Sequence, residues 1–299
     1  MNLREQLKGT GVALVTPFKE NLAIDFDALG KLIDFVISNG SEYVTTLGTT
    51  GETPTLDEKE KLDVLAYTFE KVNNRVPVVV GIGGNNTKEI IHELETWPIE
   101  KAAAILSTSP YYNKPTQEGI YQHYKAIAEA SPKPILLYNV PGRTGANIAA
   151  DTVTRLAHEV ENVGGIKEAS GLMEQCMHII RDRPEDFLII SGDDHVVLPL
   201  IACGMDGVIS VAANCFPKDF SDMVRYCLAG DFASARPLHY KCLEGNDLLF
   251  EENNPAGAKG FLFELGIIKN ILRLPLVPLT PTTQQKVKTY LKANFFGDN

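Results

Sequence analysis

Short runs of Val, Ile, Leu and Ala recur along this chain, and between them apolar residues return every three or four positions. Apolar runs without alternation indicate strands covered on both faces, as in a parallel sheet; the wider spacing indicates amphipathic helices. The runs fall at 11–16, 42–47, 76–82, 102–107, 134–139, 163–167, 187–191 and 207–211. Of the helices, 25–38 places Phe26, Leu29, Ile33 and Val36 on one face and stops at Gly40. The segment 56–71 follows Thr55 as its expected cap, and 87–95 and 117–130 behave similarly. In 151–159, Asp151 is the expected cap, and Val153, Leu156 and Ala157 face inward. The run at 196–203 reads as a buried helix, since no apolar stretch reaches membrane-spanning length.

Strands that each lead into a helix predict a closed (β/α)8 TIM barrel. A doubly wound sheet would carry its phosphate-binding glycines after the first strand, where Thr16-Pro17-Phe18 stands instead. Gly81-Ile82-Gly83-Gly84 lacks the required spacing and reads as a tight turn or a close approach of backbones. From about residue 230 the strand signals stop. The segments 232–246, 256–265 and 281–294 look helical, interrupted by Asn253-Asn254-Pro255 and a proline-rich connector at 274–281. The expected organisation is a catalytic barrel over 1–229 and a C-terminal helical appendage over 230–299.

Composition narrows the function classes. The chain has 299 residues, 44% hydrophobic and 22% charged, enough for a core of this size. Its net charge of −10 argues against nucleic acid or an anionic membrane as partner and leaves small anionic substrates open. An odd count of 5 cysteines without a C-x-x-C pair favours reduced thiols over a disulfide framework. The N-terminus lacks a signal peptide's apolar core, so a cytoplasmic location is expected. The 6 histidines form no metal-binding pattern, and no metal site is expected. His195, beside Asp193 and Asp194, reads as a loop histidine; caps for the next helix are the ordinary alternative for the two aspartates, against their place at a strand end.

Lys167 is the anomaly. It stands in the apolar run 163–167, and lysine is almost never fully buried unless something pairs with it or uses it. Moving an ammonium out of water is costly, and a neutral amine in such a place is a nucleophile toward carbonyl carbon. The ordinary alternative is a surface lysine on an edge strand. Polar motifs at the other strand ends weigh against it, because barrel enzymes collect their chemistry there. They are Gly48-Thr49-Thr50-Gly51-Glu52, Ser109-Pro110-Tyr111-Tyr112-Asn113, Tyr138-Asn139-Val140-Pro141-Gly142-Arg143-Thr144-Gly145 and Ser191-Gly192-Asp193-Asp194. Strand alternation sends Glu168 to the face opposite Lys167, so that carboxylate need not neutralise the amine. Tyrosine and threonine hydroxyls donate and accept in one chain, which suits repeated proton transfer.

In that order these motifs resemble the pyruvate-dependent Schiff-base aldolase family that includes dihydrodipicolinate synthase and N-acetylneuraminate lyase. The likeness runs from Val15-Thr16-Pro17-Phe18 to the region of Arg273. The resemblance implies that Lys167 condenses with pyruvate, so that no cofactor is needed beyond the covalent imine. Tyr138, Thr49 and Tyr112 would form a proton relay, Tyr112 reaching into a neighbouring subunit. Thr50 would hold the pyruvate carboxylate, and the Gly192 and Ile209 carbonyls would line the site. Arg143 would pair with the carboxylate of L-aspartate 4-semialdehyde, which favours the synthase branch and its product 4-hydroxy-tetrahydrodipicolinate, on the diaminopimelate route to lysine. A sugar-acid aldolase such as N-acetylneuraminate lyase is the alternative, although those enzymes typically lack this arginine. The resemblance also implies a homotetramer, a dimer of dimers. Tyr111, Asn85 and Glu89 match an allosteric lysine site. Glu58 and Lys61 stand where well-inhibited members tend to carry histidines, so weak lysine inhibition is expected.

Overall fold

The structure is a computed structural model that describes residues 2–296. All eight predicted strands form: β1 Gly9–Ala13, β2 Tyr43–Thr46, β3 Val78–Gly81, β4 Ala104–Thr108, β5 Ile135–Asn139, β6 Val163–Glu168, β7 Leu188–Ser191 and β8 Gly207–Ser210. They pair in parallel with their sequence neighbours, and β8 returns to β1 to close the barrel. The fold is a (β/α)8 TIM barrel followed by C-terminal helices.

Closure explains why the strands read as continuous apolar runs. One set of side chains, among them Val44, Val80, Ile105, Leu137, Ile166 and Ile189, packs outward in the cluster shared with the helices. The alternate set, including Tyr43, Val79, Leu106, Leu136, Leu188 and Ile209, fills the interior. Toward the N-terminal end Tyr43 occupies the space above Gly11, where a Cβ would lie 2.1 Å from its ring, and its hydroxyl donates to the Val208 carbonyl at 3.2 Å. The short helix Leu3–Gln6 is fastened at this end: Arg4 donates to Asp206 at 2.8 Å, and Asp206 also accepts the Ile189 amide at 3.0 Å. Leu7 completes the plug. The interior is thus packed at one end and left for chemistry at the other.

Two helix starts differ from expectation, and the ordinary alternative for a third is not met. The helix expected from residue 56 spans Glu58–Val72, capped by Asp57 in a capping box with Glu60. Thr55 instead donates to the Glu52 carbonyl at 2.9 Å, closing the turn before it. The next correction is at Ala150–Glu159, where Ala149 is the N-cap and Asp151 lies in the first turn, a favourable place for a carboxylate near the helix dipole. Lastly, Asp193 and Asp194 do not cap Val197–Ala202, whose N-cap is Val196. Asp194 is buried and accepts the Val211 and Ala212 amides at 2.9 and 2.8 Å, tying the ends of β7 and β8 together.

Beyond the barrel the chain forms Phe232–Glu251, Ala256–Glu264 and Pro281–Leu291. The first outruns its expected end because Leu248 and Leu249 keep it apolar on its inner face. An aromatic group of Phe216, Phe261, Tyr290 and Phe295 joins this region to the turn after β8. No helix among the described residues is long and apolar enough to cross a membrane.

Candidate active site

The ends of β2, β4, β5, β6 and β7 surround a cavity of about 610 Å³. Lys167 is in its lining and is 5% exposed. The register pairs Lys167 with Tyr138 on β5 and Ile190 on β7, so the tyrosine is its cross-strand neighbour. The ammonium nitrogen lies 4.4 Å from the centre of the Tyr138 ring. No carboxylate among the described residues forms an ion pair with Lys167. Glu168 is turned to the other face of the strand, where Asn139, Gln175 and the Ser170 amide donate to it at 2.9, 3.0 and 2.7 Å. Gly192 packs against the lysine's aliphatic stem, since a Cβ there would come within 2.8 Å of Lys167 Cε.

Thr49 and Thr50 enter the lining on a 3-10 turn, Thr49–Gly51, at the end of β2. Leu47 and Glu52, on either side, adopt φ of 56° and 54°, a left-handed conformation that non-glycine residues rarely take. Such strain persists only where surrounding contacts over-determine it, and it concentrates at functional sites. Gly81 shows one of those contacts: a Cβ there would sit 2.2 Å from the Leu47 carbonyl oxygen, so only glycine admits this approach. The expectation of a close backbone approach at 81–84 therefore holds. The Thr50 side chain is fixed from the C-terminal region, accepting from Asn254 Nδ2 at 3.0 Å.

Arg143 lies in the short helix Pro141–Thr144 at the cavity's outer side. Through one nitrogen its guanidinium donates to Asn253 Oδ1 at 3.5 Å and to the Asn254 carbonyl at 3.3 Å, and a planar fork of this kind suits a ligand's carboxylate. Tyr111 also lines the cavity. Tyr112 does not: it is 90% exposed with φ of 70°, held outward from its own barrel. Ile209 lies in the packed interior beneath the cavity rather than in its lining. Asn85 stands outside the cavity as well and holds the tyrosine loop, donating to the Tyr111 carbonyl and accepting from Asn113, both at 3.1 Å. Glu89 is exposed in the first turn of Thr87–Thr96. Lys61, Glu93 and Trp97 also line the cavity, and burial raises the Glu93 carboxyl above its ordinary pKa.

Two contributors were not legible as such. Asn254 reads in the sequence as a helix breaker, yet it touches both Thr50 and Arg143. His195, read as a loop histidine, lines the cavity between Asp193 at 3.4 Å and Asp247 of the C-terminal helix at 3.2 Å. Its hydrogen bond to Asp193 holds the imidazole above its usual pKa against an opposing desolvation, and Asp193 is correspondingly held below the usual carboxylate range. Adjacency to two aspartates was a signal for the first contact; nothing local announced Asp247. Among the described residues, no group of three or more His, Cys, Asp or Glu side chains is placed to hold a metal ion.

A buried lysine without a carboxylate partner, a neighbouring tyrosine, threonines on a turn flanked by left-handed residues and an arginine line one cavity, an arrangement suited to covalent capture of a small carbonyl acid. Known proteins resemble the chain over nearly its whole length. The chain is 53% identical over 286 residues to the 4-hydroxy-tetrahydrodipicolinate synthase of Parabacteroides distasonis, covering 96% of each. The dihydrodipicolinate synthase of Thermotoga maritima superposes with a TM-score of 0.93 at 39% identity, over 97% of this chain and 99% of that one. A dihydrodipicolinate synthase variant described as monomeric superposes with a TM-score of 0.94 at 38% identity, over 97% of each. Residues 6–294 match the Dihydrodipicolinate synthetase family, and the chain belongs to that family.

Proposed function

We propose that the chain is a lyase that condenses pyruvate with L-aspartate 4-semialdehyde to give 4-hydroxy-tetrahydrodipicolinate. The observation that carries the chemistry is Lys167, buried, without a carboxylate partner among the described residues, in the lining of the cavity beside Tyr138. Its amine attacks the pyruvate carbonyl carbon; loss of water gives the imine. The imine draws electrons from the adjacent methyl carbon, a proton leaves, and the resulting enamine carbon attacks the aldehyde of the second substrate. The aldehyde oxygen takes up a proton, attack of the semialdehyde's own amine on the imine carbon closes the ring and breaks its bond to Lys167, and the covalent imine takes the place of a cofactor.

Each transfer needs a group that gives and takes a proton, and the hydroxyls of Tyr138, Thr49 and Tyr112 are proposed for it. Thr50, fixed by Asn254, is proposed to bind the pyruvate carboxylate, with the carbonyl of Gly192 in the lining and that of Ile209 beneath it completing the site. Arg143 is proposed to bind the carboxylate of the semialdehyde. Its place in the cavity lining supports that acceptor over a neutral sugar. The exposure of Tyr112 and its left-handed backbone support donation to a neighbouring copy, within a homotetramer built as a dimer of dimers. The barrel, 1–229, carries the chemistry, and the helical part, 230–299, closes one side of the cavity through Phe250 and Asn254. The enzyme is proposed to be cytoplasmic.

Tyr111, Asn85 and Glu89 are proposed to bind lysine as an effector. Lys61, which lines the same cavity as Tyr111, would repel a second ammonium, so inhibition is weak. Half-maximal inhibition by micromolar lysine in a steady-state assay would show this reading to be wrong.

The decisive experiment is borohydride reduction in the presence of pyruvate, followed by intact and peptide mass measurement. A stable adduct on Lys167 is expected. Folded, active protein with no adduct would sink the mechanism. Turnover is then compared with aspartate semialdehyde and with N-acetylmannosamine as acceptors; preference for the sugar would transfer the enzyme to the lyase branch.

A further inference from the structure

Beneath the threonine turn lies a charged pair that the reaction as described does not use. Glu52 ends that turn with φ of 54° and is 1% exposed. One carboxylate oxygen meets the ammonium of Lys259, and the other accepts the Arg273 amide at 3.1 Å. Lys259, on the helix Ala256–Glu264, is 0% exposed. It also donates to the Ile271 carbonyl at 2.9 Å and lies 4.1 Å from the centre of the Phe18 ring. Arg273 stacks on the same ring at 4.5 Å and forks onto Glu60 at 2.7 and 2.5 Å. The left-handed residue beside the proposed pyruvate site is therefore held by charges from the C-terminal region.

Stability alone is a poor reason for this arrangement. Burial pulls the Lys259 ammonium down to about 8 against the opposing attraction of Glu52. Taking both charges out of water costs free energy, and an apolar pair of similar volume is often as stable or more so. What an apolar pair lacks is direction. Ion pair and hydrogen bonds together fix where the Glu52 side chain points, and with it the strained backbone that carries Thr49 and Thr50. Asn254, two residues before the same helix, fixes the Thr50 hydroxyl directly.

We propose that Glu52 and Lys259 are positioning residues that hold the Thr49–Thr50 turn in its strained, reactive conformation and couple pyruvate capture to docking of the C-terminal helices. This rests on the reading of Lys167 as the pyruvate-binding amine. Neither residue touches substrate; they act through the turn.

Three variants test it: Glu52→Gln, Lys259→Met, and the two combined. Each single variant leaves one buried charge without its partner and loses stability. The double variant removes both charges, while the glutamine still accepts the Arg273 amide. Its Tm is expected within about 3 °C of the wild-type value. The initial rate of borohydride trapping of the pyruvate imine is nevertheless expected to fall at least about tenfold, because a small misplacement of a binding group is costly in rate. A double variant that is stable and traps imine at the wild-type rate overturns the proposal. So does trapping that only follows Tm through all three variants. Wild-type protein that forms no adduct at all overturns instead the pyruvate reading on which the proposal stands.

Discussion

Lys167 and Tyr138 illustrate how one residue's meaning depends on its cross-strand neighbour. On β6 the lysine is an amine in an apolar run; paired in register with Tyr138, it stands beside a hydroxyl-bearing ring. Tyr138→Phe keeps the ring and removes the hydroxyl. General acid–base groups are worth about 10²–10⁴-fold, so kcat is expected to fall by about that factor while borohydride still traps some imine at Lys167. Steady-state kinetics with intact mass spectrometry checks both parts; an unchanged kcat would remove Tyr138 from the relay. Arg143→Ala deletes a charged fork proposed to face the second substrate's carboxylate. A charge-assisted hydrogen bond contributes about 1.5–3 kcal/mol, which predicts a loss of about 10- to 150-fold in kcat/KM for the aldehyde and little change in pyruvate trapping. A loss confined to pyruvate would move Arg143 to the other subsite.

At the scale of elements, the helices show that burial rather than local pattern decides protonation. His123 lies in Gln117–Ala130, shares a hydrogen bond between its Nδ1 and the Thr87 hydroxyl at 2.9 Å and is buried against the neighbouring helix Thr87–Thr96. Desolvation lowers its pKa to about 4 from 6.5. Between those values the unfolded chain binds a proton there that the native protein does not, so stability rises with pH across this window. The contribution is full above about pH 6.5 and is lost as pH falls to about 4, on the order of 3 kcal/mol in total. Denaturant unfolding from pH 7 to pH 4 measures it. His123→Gln, which does not titrate, is expected to flatten that part of the curve; an equally steep acid loss in the variant would assign it to other groups. The capping box at Asp57 gives a second check: Asp57→Ala is expected to cost about 1 kcal/mol, read from the same denaturant midpoints.

For the whole molecule, Tyr112, exposed outside its own barrel, is the residue whose proposed role requires a second copy of the chain. If Tyr112 serves a neighbouring site, Lys167→Ala and Tyr112→Phe copies, each poorly active, regain turnover when mixed. A mixed pair then has one site with an intact lysine and an intact donated tyrosine. Mixing followed by assay, with light scattering to establish association, tests this. Associated but inactive mixtures would confine Tyr112 to its own chain. The same scale sets what was readable in advance. Eight apolar runs and the helical spacing between them are local patterns, each dictated by which faces must be buried, and they led to the barrel; the polar strand ends led to the motifs that hold Lys167, Tyr138, Thr49, Thr50 and Arg143, whose separate roles came from the family resemblance. The helix start at Thr55 was misread because Asp57, two residues on, takes the first amides in its capping box, and that at Asp151 because the helix starts one residue earlier from Ala149, with no side-chain cap at all. Asn254, Asp247 and Lys259 were not legible at all, for they act at sequence separations of 204, 52 and 207 residues from Thr50, His195 and Glu52, and no pattern of neighbours encodes such a contact. Periodicity records only which side of an element avoids water, and that was enough to build the barrel. Which distant charge or amide meets the strained turn depends on the packing of the C-terminal helices, and only the folded chain decides it.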